Sequence, residues 1–235
     1  MNKKTLLLVA ILTATIAKTF ALDITDKKNL FGFNGGFGIT TMGIEKENDD
    51  AKNRVKIGGT AGFSFEHRFP KVVAFEIGAN YTNKGGQQKI ENSGLNRSFY
   101  RLNFHSVEMP VIVKFYIGRK KIFNLNVGGY ASYAFNVQSR LKVDYKDNSF
   151  FKDIDERKNN LLKNDNNPKD ADGQRAFRPY DAGVNVGFEF VSRKGLGAGA
   201  RIQQGLVDYT NPKFVLDDNK KVYHTSILFY ALWKF

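Results

Sequence analysis

The chain has 235 residues, with 36 Lys plus Arg against 23 Asp plus Glu for a formal net charge of +13, and it carries 22 Gly, 5 Pro and no Cys. A sequence without cysteine excludes disulfide scaffolds, thiolate metal sites and cysteine nucleophiles, and a mean hydropathy of −0.39 excludes a bundle of membrane-spanning helices. With 21 Phe and 10 Tyr, the chain is too aromatic to remain unpacked.

The first element in chain order is a leader. Asn2-Lys3-Lys4 is followed by the apolar stretch Thr5 to Ala17 and by Thr19-Phe20-Ala21, with small residues three and one before a cut. This is the layout of a cleaved secretory signal peptide. Residues 1–21 are expected to be removed, with Lys3, Lys4 and Lys18, which lowers the charge from +13 to +10. Residues 22–30 are expected to be a short periplasmic segment, and 31–235 one domain.

Beyond Asp23 the recurring pattern is alternation with period two, the mark of a strand whose faces meet different surroundings. It predicts eight strands at 31–42, 55–68, 72–83, 102–117, 122–138, 181–191, 196–206 and 225–235. The last is the clearest: Thr225, Ile227, Phe229, Ala231, Trp233 and Phe235 oppose Ser226, Leu228, Tyr230, Leu232 and Lys234. In the fifth, Phe123, Leu125, Val127, Tyr133, Phe135 and Val137 share the apolar face. The connections run 12, 3, 18, 4, 42, 4 and 18 residues, so long and short alternate throughout. An even number of antiparallel strands with loops sorted by length points to an all-β, eight-stranded up-and-down transmembrane barrel. Its short turns and both termini are periplasmic, and its long loops extracellular.

In such a barrel the apolar face meets lipid and the polar face fills the interior. The predicted interior carries Lys56, Glu66, Glu76, Glu108, Lys114, Glu189, Arg201 and Lys234, interspersed with glycines. Eight strands leave room for side chains rather than an aqueous channel, so acid and base are expected to pair across strands. A soluble lipocalin-like binder would place the same charges outside. Trp233 and Phe235 suit an interfacial aromatic girdle, and this ending resembles the C-terminal signal read by the barrel-assembly machinery.

His105-Ser106-Val107-Glu108-Met109-Pro110-Val111-Ile112-Val113-Lys114-Phe115 resembles the fourth strand of the PorT-like outer-membrane β-barrel family of Bacteroidota. Glu108, Pro110, Lys114 and Phe115 match that motif, while His105-Ser106 departs from its aromatic start. Pro110 removes a ladder donor and is expected at a bulge or an unpaired position. The resemblance implies an outer-membrane location and, more weakly, a part in protein secretion or maturation.

Residues suited to chemistry are few. His105 and Ser106 are neighbours on a strand and point to opposite faces, so they do not pair as base and nucleophile. His67 lies near a short turn and His224 near the opposite rim. Asp170-Ala171-Asp172-Gly173 resembles part of a calcium loop, but Pro168 and Pro179 stand at its first and twelfth ligand positions. Gly195, Gly197 and Gly199 lack the spacing of a phosphate cradle. No catalytic, cofactor or metal site is expected. The stretch from Ser139 to Tyr180 mixes ten basic and eight acidic residues, the composition of a solvated loop rather than a basic patch. The sequence therefore predicts a monomeric, non-enzymatic barrel whose partners are outer-membrane lipid, lipopolysaccharide and the assembly machinery, not nucleic acid.

Overall fold

The computed structural model describes residues 23–43, 51–70, 72–92, 96–118, 120–145, 154–162, 178–207 and 223–235. The expected leader, residues 1–21, lies outside them, as do parts of the predicted long loops. The strands are β1 (Asn29–Gly43), β2 (Ala51–Arg54), β3 (Lys56–Arg68), β4 (Val73–Asn92), β5 (Asn96–Ile117), β6 (Phe123–Tyr145), β7 (Ile154–Lys158), β8 (Tyr180–Val191), β9 (Leu196–Gly205) and β10 (Tyr223–Lys234). Every pairing is antiparallel. β1, β3, β4, β5, β6, β8, β9 and β10 pair in turn, and β10 returns to β1, closing an eight-stranded barrel. The short β2 and β7 add to β4 and β6 beyond this ring. Closure leaves the eight ring strands without an open edge.

The alternation sorts side chains as a lipid-facing barrel requires. Outward residues include Phe33 at 56% exposure, Phe63 at 61% and Phe190 at 55%, while inward Lys114 is 0% exposed. A soluble carrier needs the reverse order. Along β5, Phe115 to His105 spans eleven residues, within the length of about 9–11 that a tilted strand needs to cross a bilayer. Aromatic pairs flank this span. At the short-turn end Phe31 packs on Phe65 at 5.2 Å and Trp233 on Phe235 at 5.3 Å. At the other end Tyr133 packs on Tyr180 at 5.4 Å, and Tyr81 stacks on His105 at 6.1 Å.

The chain crosses with strands; among the described residues no helix is long and apolar enough to do so. The short turns are tight. Gly195 takes φ 86°, and a Cβ there would lie 1.8 Å from the Lys234 carbonyl. Only glycine fits where that turn accepts the Lys234 N–H at 2.9 Å.

Two expectations are corrected and a third is met. The predicted 18-residue connection at 84–101 is mostly strand: β4, β5 and β6 run 20, 22 and 23 residues and rise past the aromatic belt. Above the belt the outward face meets water instead of lipid, so apolar alternation is not needed to hold the ladder. Val137 does not share the lipid face. The β5–β6 register shifts between His105 and Ser106, leaving Phe135 as the extra residue on β6. This bulge turns Val137 inward, where it is 0% exposed. Pro110 takes the second of its two expected places, an unpaired position: the register does not shift there, and the β4–β5 ladder lapses opposite it, between Ile77 and Asn80. A Cβ on Gly78 would lie 3.2 Å from the proline ring, so the glycine makes room for it.

Candidate functional site

The barrel axis is occupied by side chains from facing strands. Nearest the short turns, Glu66 of β3, Glu76 of β4 and Glu189 of β8 converge, their carboxylates within 4.8 Å of one another. Two ammonium groups sit among them. Lys114 Nζ of β5 lies 2.6 Å from Glu76, 2.5 Å from Glu189 and 3.4 Å from Glu66. Lys234 Nζ of β10 lies 3.1 Å from Glu76, 3.3 Å from Glu189 and also pairs with Glu66. Each ammonium therefore bridges all three carboxylates, filling the space that a metal ion would take. Each carbon stem reaches the cluster because residues of one parity all point inward.

Guanidinium and phenol groups complete the layer. Arg68 Nε donates to Glu66 at 2.7 Å, and Arg68 Nη2 donates to the Tyr116 hydroxyl at 3.1 Å. Tyr116 also bonds Glu66. Arg201 lies 3.6 Å from Glu189 and donates to the Tyr230 hydroxyl at 3.2 Å, which donates to Glu189 at 3.0 Å. A buried charge is tolerated only when paired and hydrogen-bonded, and here carboxylates, ammoniums and guanidiniums all meet that condition. Beside the cluster is a cavity of about 20 Å³ lined by Asn34, Asn80, Arg201 and Lys234, room for about one water.

Further along the axis a second layer forms. Lys84 pairs with Glu108, which accepts from Gln203 at 2.8 Å, and Ser226 donates to Gln203 at 3.3 Å. Lys84 also stands over the Tyr130 ring at 4.6 Å. The Tyr130 hydroxyl donates to Asp181 at 2.9 Å and lies 3.1 Å from His224 Nε2. Asp181, Tyr130 and His224 are all buried in the wall, an arrangement that fixes the rim rather than presenting a base to solvent.

Apolar residues stop both ends. At the short-turn end Ile24 is buried against Leu30, Val191 and Leu232. Its N–H donates to the Arg193 carbonyl at 2.9 Å, and its carbonyl accepts from Arg68 at 2.8 Å. At the other mouth Leu161 is buried on Leu102, Phe104, Ala134 and Val137, and its N–H donates to the Val137 carbonyl at 2.9 Å.

The structure thus brings Glu66, Glu76, Lys114, Glu189, Arg201 and Lys234 into one cluster and places Glu108 in the layer beyond. Lys56 joins neither: half-buried at the rim on the inward parity of β3, it donates to Asn83 Oδ1 at 2.6 Å. The break at Val55, where β2 replaces β3 as the partner of β4, puts Lys56 at the edge of the ring. Phe115, Trp233 and Phe235 lie on the outward face, and Pro110 faces inward. His105 turns outward to the Tyr81 hydroxyl at 2.7 Å while Ser106 turns inward, so the two do not form a pair. Sequence reasoning names neither Lys84, Arg68 nor Gln203 among the interior groups, and gives no role to Tyr116, Tyr130 and Tyr230, which it places on the inward face. Strand parity alone points to most of them, since Lys84 follows Glu76 and Asn80 at even spacing and Tyr116 follows Lys114. Leu161 has no such signal.

Among solved structures the chain is similar to the attachment invasion locus protein Ail of Yersinia pestis, at 10% identity over 88% of this chain and 99% of that one, TM-score 0.42. It is likewise similar to Neisserial surface protein A, at 12% identity over 87% and 97%, TM-score 0.44. For the outer membrane protein OprG of Pseudomonas aeruginosa the values are 14%, 89%, 97% and 0.36. No curated protein matches the chain. The sequence model of one family, described as an outer membrane protein beta-barrel domain, matches residues 22–211. With the match spanning most of the chain and the strands closing as that description requires, the protein belongs to the outer membrane β-barrel domain family.

Proposed function

We propose that this outer-membrane barrel is of the PorT-like type and acts in the envelope through the surface it raises beyond the membrane, not by transport or catalysis. The observation that carries the reading is the filled axis: Ile24 stops one end, two charged layers fill the middle, and Leu161 stops the other. What the barrel offers a partner is then its outside, above all the long β4–β6 wall. The first and last described residues lie at the short-turn end, which in this reading is periplasmic, and Trp233 and Phe235 serve as the signal taken by the assembly machinery. The test is reconstitution of the full chain into liposomes. Heat-modifiable gel migration with no swelling in small sugars supports the reading; sugar uptake by a folded barrel overturns it.

A second reading, a factor for protein secretion or maturation, is favoured by Glu108, Pro110, Lys114 and Phe115, which match the motif of that family. It expects deletion of the gene to reduce secretion of envelope cargo, and unchanged secretion would overturn it.

A further inference from the structure

The outward face of β4, β5 and β6 changes character at one level. On β5, Phe115, Val113, Val111, Met109 and Val107 give way at His105 to Asn103, Arg101 and Phe99. On β6, Tyr133 and Phe135 give way to Gln138, Arg140 and Lys142. Register aligns these changes across the wall. Gln87, Arg101, Arg140 and Arg157 lie directly opposite one another in one row, and Lys89, Phe99, Lys142 and Asp155 in the next. Like charges directly opposite on neighbouring strands repel, and this row holds three guanidiniums side by side.

Among the described residues the carboxylates on the wall pair with only some of its cations. Asp155 takes Arg140 through two bonds, at 2.9 and 2.6 Å, and lies 3.9 Å from Arg157. Asp144 pairs with Lys142 at 2.7 Å. Arg101 donates to the neutral Gln87 at 3.2 Å. Around Phe99 these residues enclose an open groove of about 350 Å³, lined by Gln87, Phe99, Arg101, Arg140, Lys142 and Asp144.

We propose that this groove binds the phosphate-bearing headgroup of an outer-leaflet lipid. Arg101 stands four residues beyond His105, about 13 Å along the strand and about 10 Å along the membrane normal at a typical tilt, the level of the headgroups. The same strands present Val107, Met109 and Val111 below, so one continuous wall meets both acyl chains and headgroup. A soluble anion would use only the upper half of that wall; a lipid uses all of it. The proposal rests on the orientation given above, with the long connections outside the cell.

The test uses the purified full chain in detergent micelles, with lipid A and its dephosphorylated form as probes and retained lipid counted by native mass spectrometry. Phosphorylated lipid A is expected to bind more tightly than the dephosphorylated form. Exchanging both Arg101→Gln and Lys142→Gln should weaken it about thirtyfold, at the usual contribution of a basic residue near an anionic surface. Lys158→Gln, on the opposite face and paired with Glu156 at 3.2 Å, should change nothing. Excess inorganic phosphate should fail to displace the lipid. Equal binding of the dephosphorylated form, full binding by the double variant, or displacement by phosphate would each overturn the proposal. Heat-modifiable migration is measured on every sample. Loss of it in the wild-type chain counts against the barrel reading itself, whereas intact migration without phosphate preference sinks only the lipid site.

Discussion

The two halves of the interior are closed by opposite means. Near the short turns, six strands each send one charged side chain to a shared point: Glu66, Glu76, Lys114, Glu189, Arg201 and Lys234. At the far mouth, Leu102, Phe104, Ala134 and Val137 form an apolar collar into which Leu161, from beyond the ring, is set by one backbone bond. The first arrangement exists only when the whole ring is closed, because no two neighbouring strands supply it. The second needs only β5, β6 and the segment after β7. The difference teaches where cooperativity lies: the ionic layer reports global closure, and the apolar stopper is free to open locally.

Breaking the ionic layer should have the largest effect. Lys114→Met leaves Glu66, Glu76 and Glu189 sharing one ammonium instead of two, at a position 0% exposed. Removing one partner of a buried pair typically costs about 3–5 kcal/mol, because the remaining charge stays desolvated. Urea unfolding of the vesicle-folded barrel should show a large fall in midpoint, partly restored by adding Glu189→Gln. If the double variant is no more stable than Lys114→Met alone, the layer is not acting as a set of compensating charges.

Opening the mouth should act differently. Leu161→Ala removes the aliphatic anchor, a change that costs about 2–5 kcal/mol in a closed core. Here the collar itself stays formed by β5 and β6, so the loss falls on docking of the stopper rather than on the barrel. Hydrogen exchange at the Leu161 amide, bonded to the Val137 carbonyl, should accelerate at least about thirtyfold. The urea midpoint should scarcely move. A fall in midpoint as large as that of Lys114→Met would erase the distinction between the two halves.

The same contrast explains what was legible in the sequence. Within the bilayer span each strand has lipid on one side and the packed axis on the other, so period two is enforced at every residue. The ring, its closure and the inward parity of Glu66, Glu76, Lys114 and Lys234 follow from that constraint. Above the belt the constraint ends. Gly85-Gly86-Gln87-Gln88 reads as a turn by composition, yet it lies within β4 because its neighbour β5 supplies the ladder. The bulge at Phe135 is hidden because Tyr133, Phe135 and Val137 keep a perfect apolar alternation while the backbone reverses the side on which Val137 lands. Leu161 fills the mouth from a segment with no periodicity at all. Lys56 stays outside both layers for a related reason: its parity is that of the inward face of β3, but the ladder with β4 ends at Thr60.

The smallest effect concerns how β7 is held beside the mouth. Hydrogen bonding from Arg140 holds the Asp155 carboxyl below its ordinary range, so the folded state favours the ionised acid. A carboxylate whose folded value is depressed contributes fully above its unfolded value and loses that contribution as pH falls through the folded one. Docking of β7 should therefore hold at neutral pH and weaken only as the medium becomes more acidic than the usual aspartate range. Both partners are exposed, so salt should screen the pair as well. Amide exchange in β7, corrected for its intrinsic pH dependence, should rise in that acid window in the wild-type chain. Asp155→Asn should show the raised exchange at neutral pH and little further change on acidification. Identical acid profiles for the two chains would show that the Val143–Ile154 to Ser139–Lys158 ladder holds β7 without the ion pair. The mouth would then resemble the ring in depending on backbone pairing, with Leu161 as its one separable part.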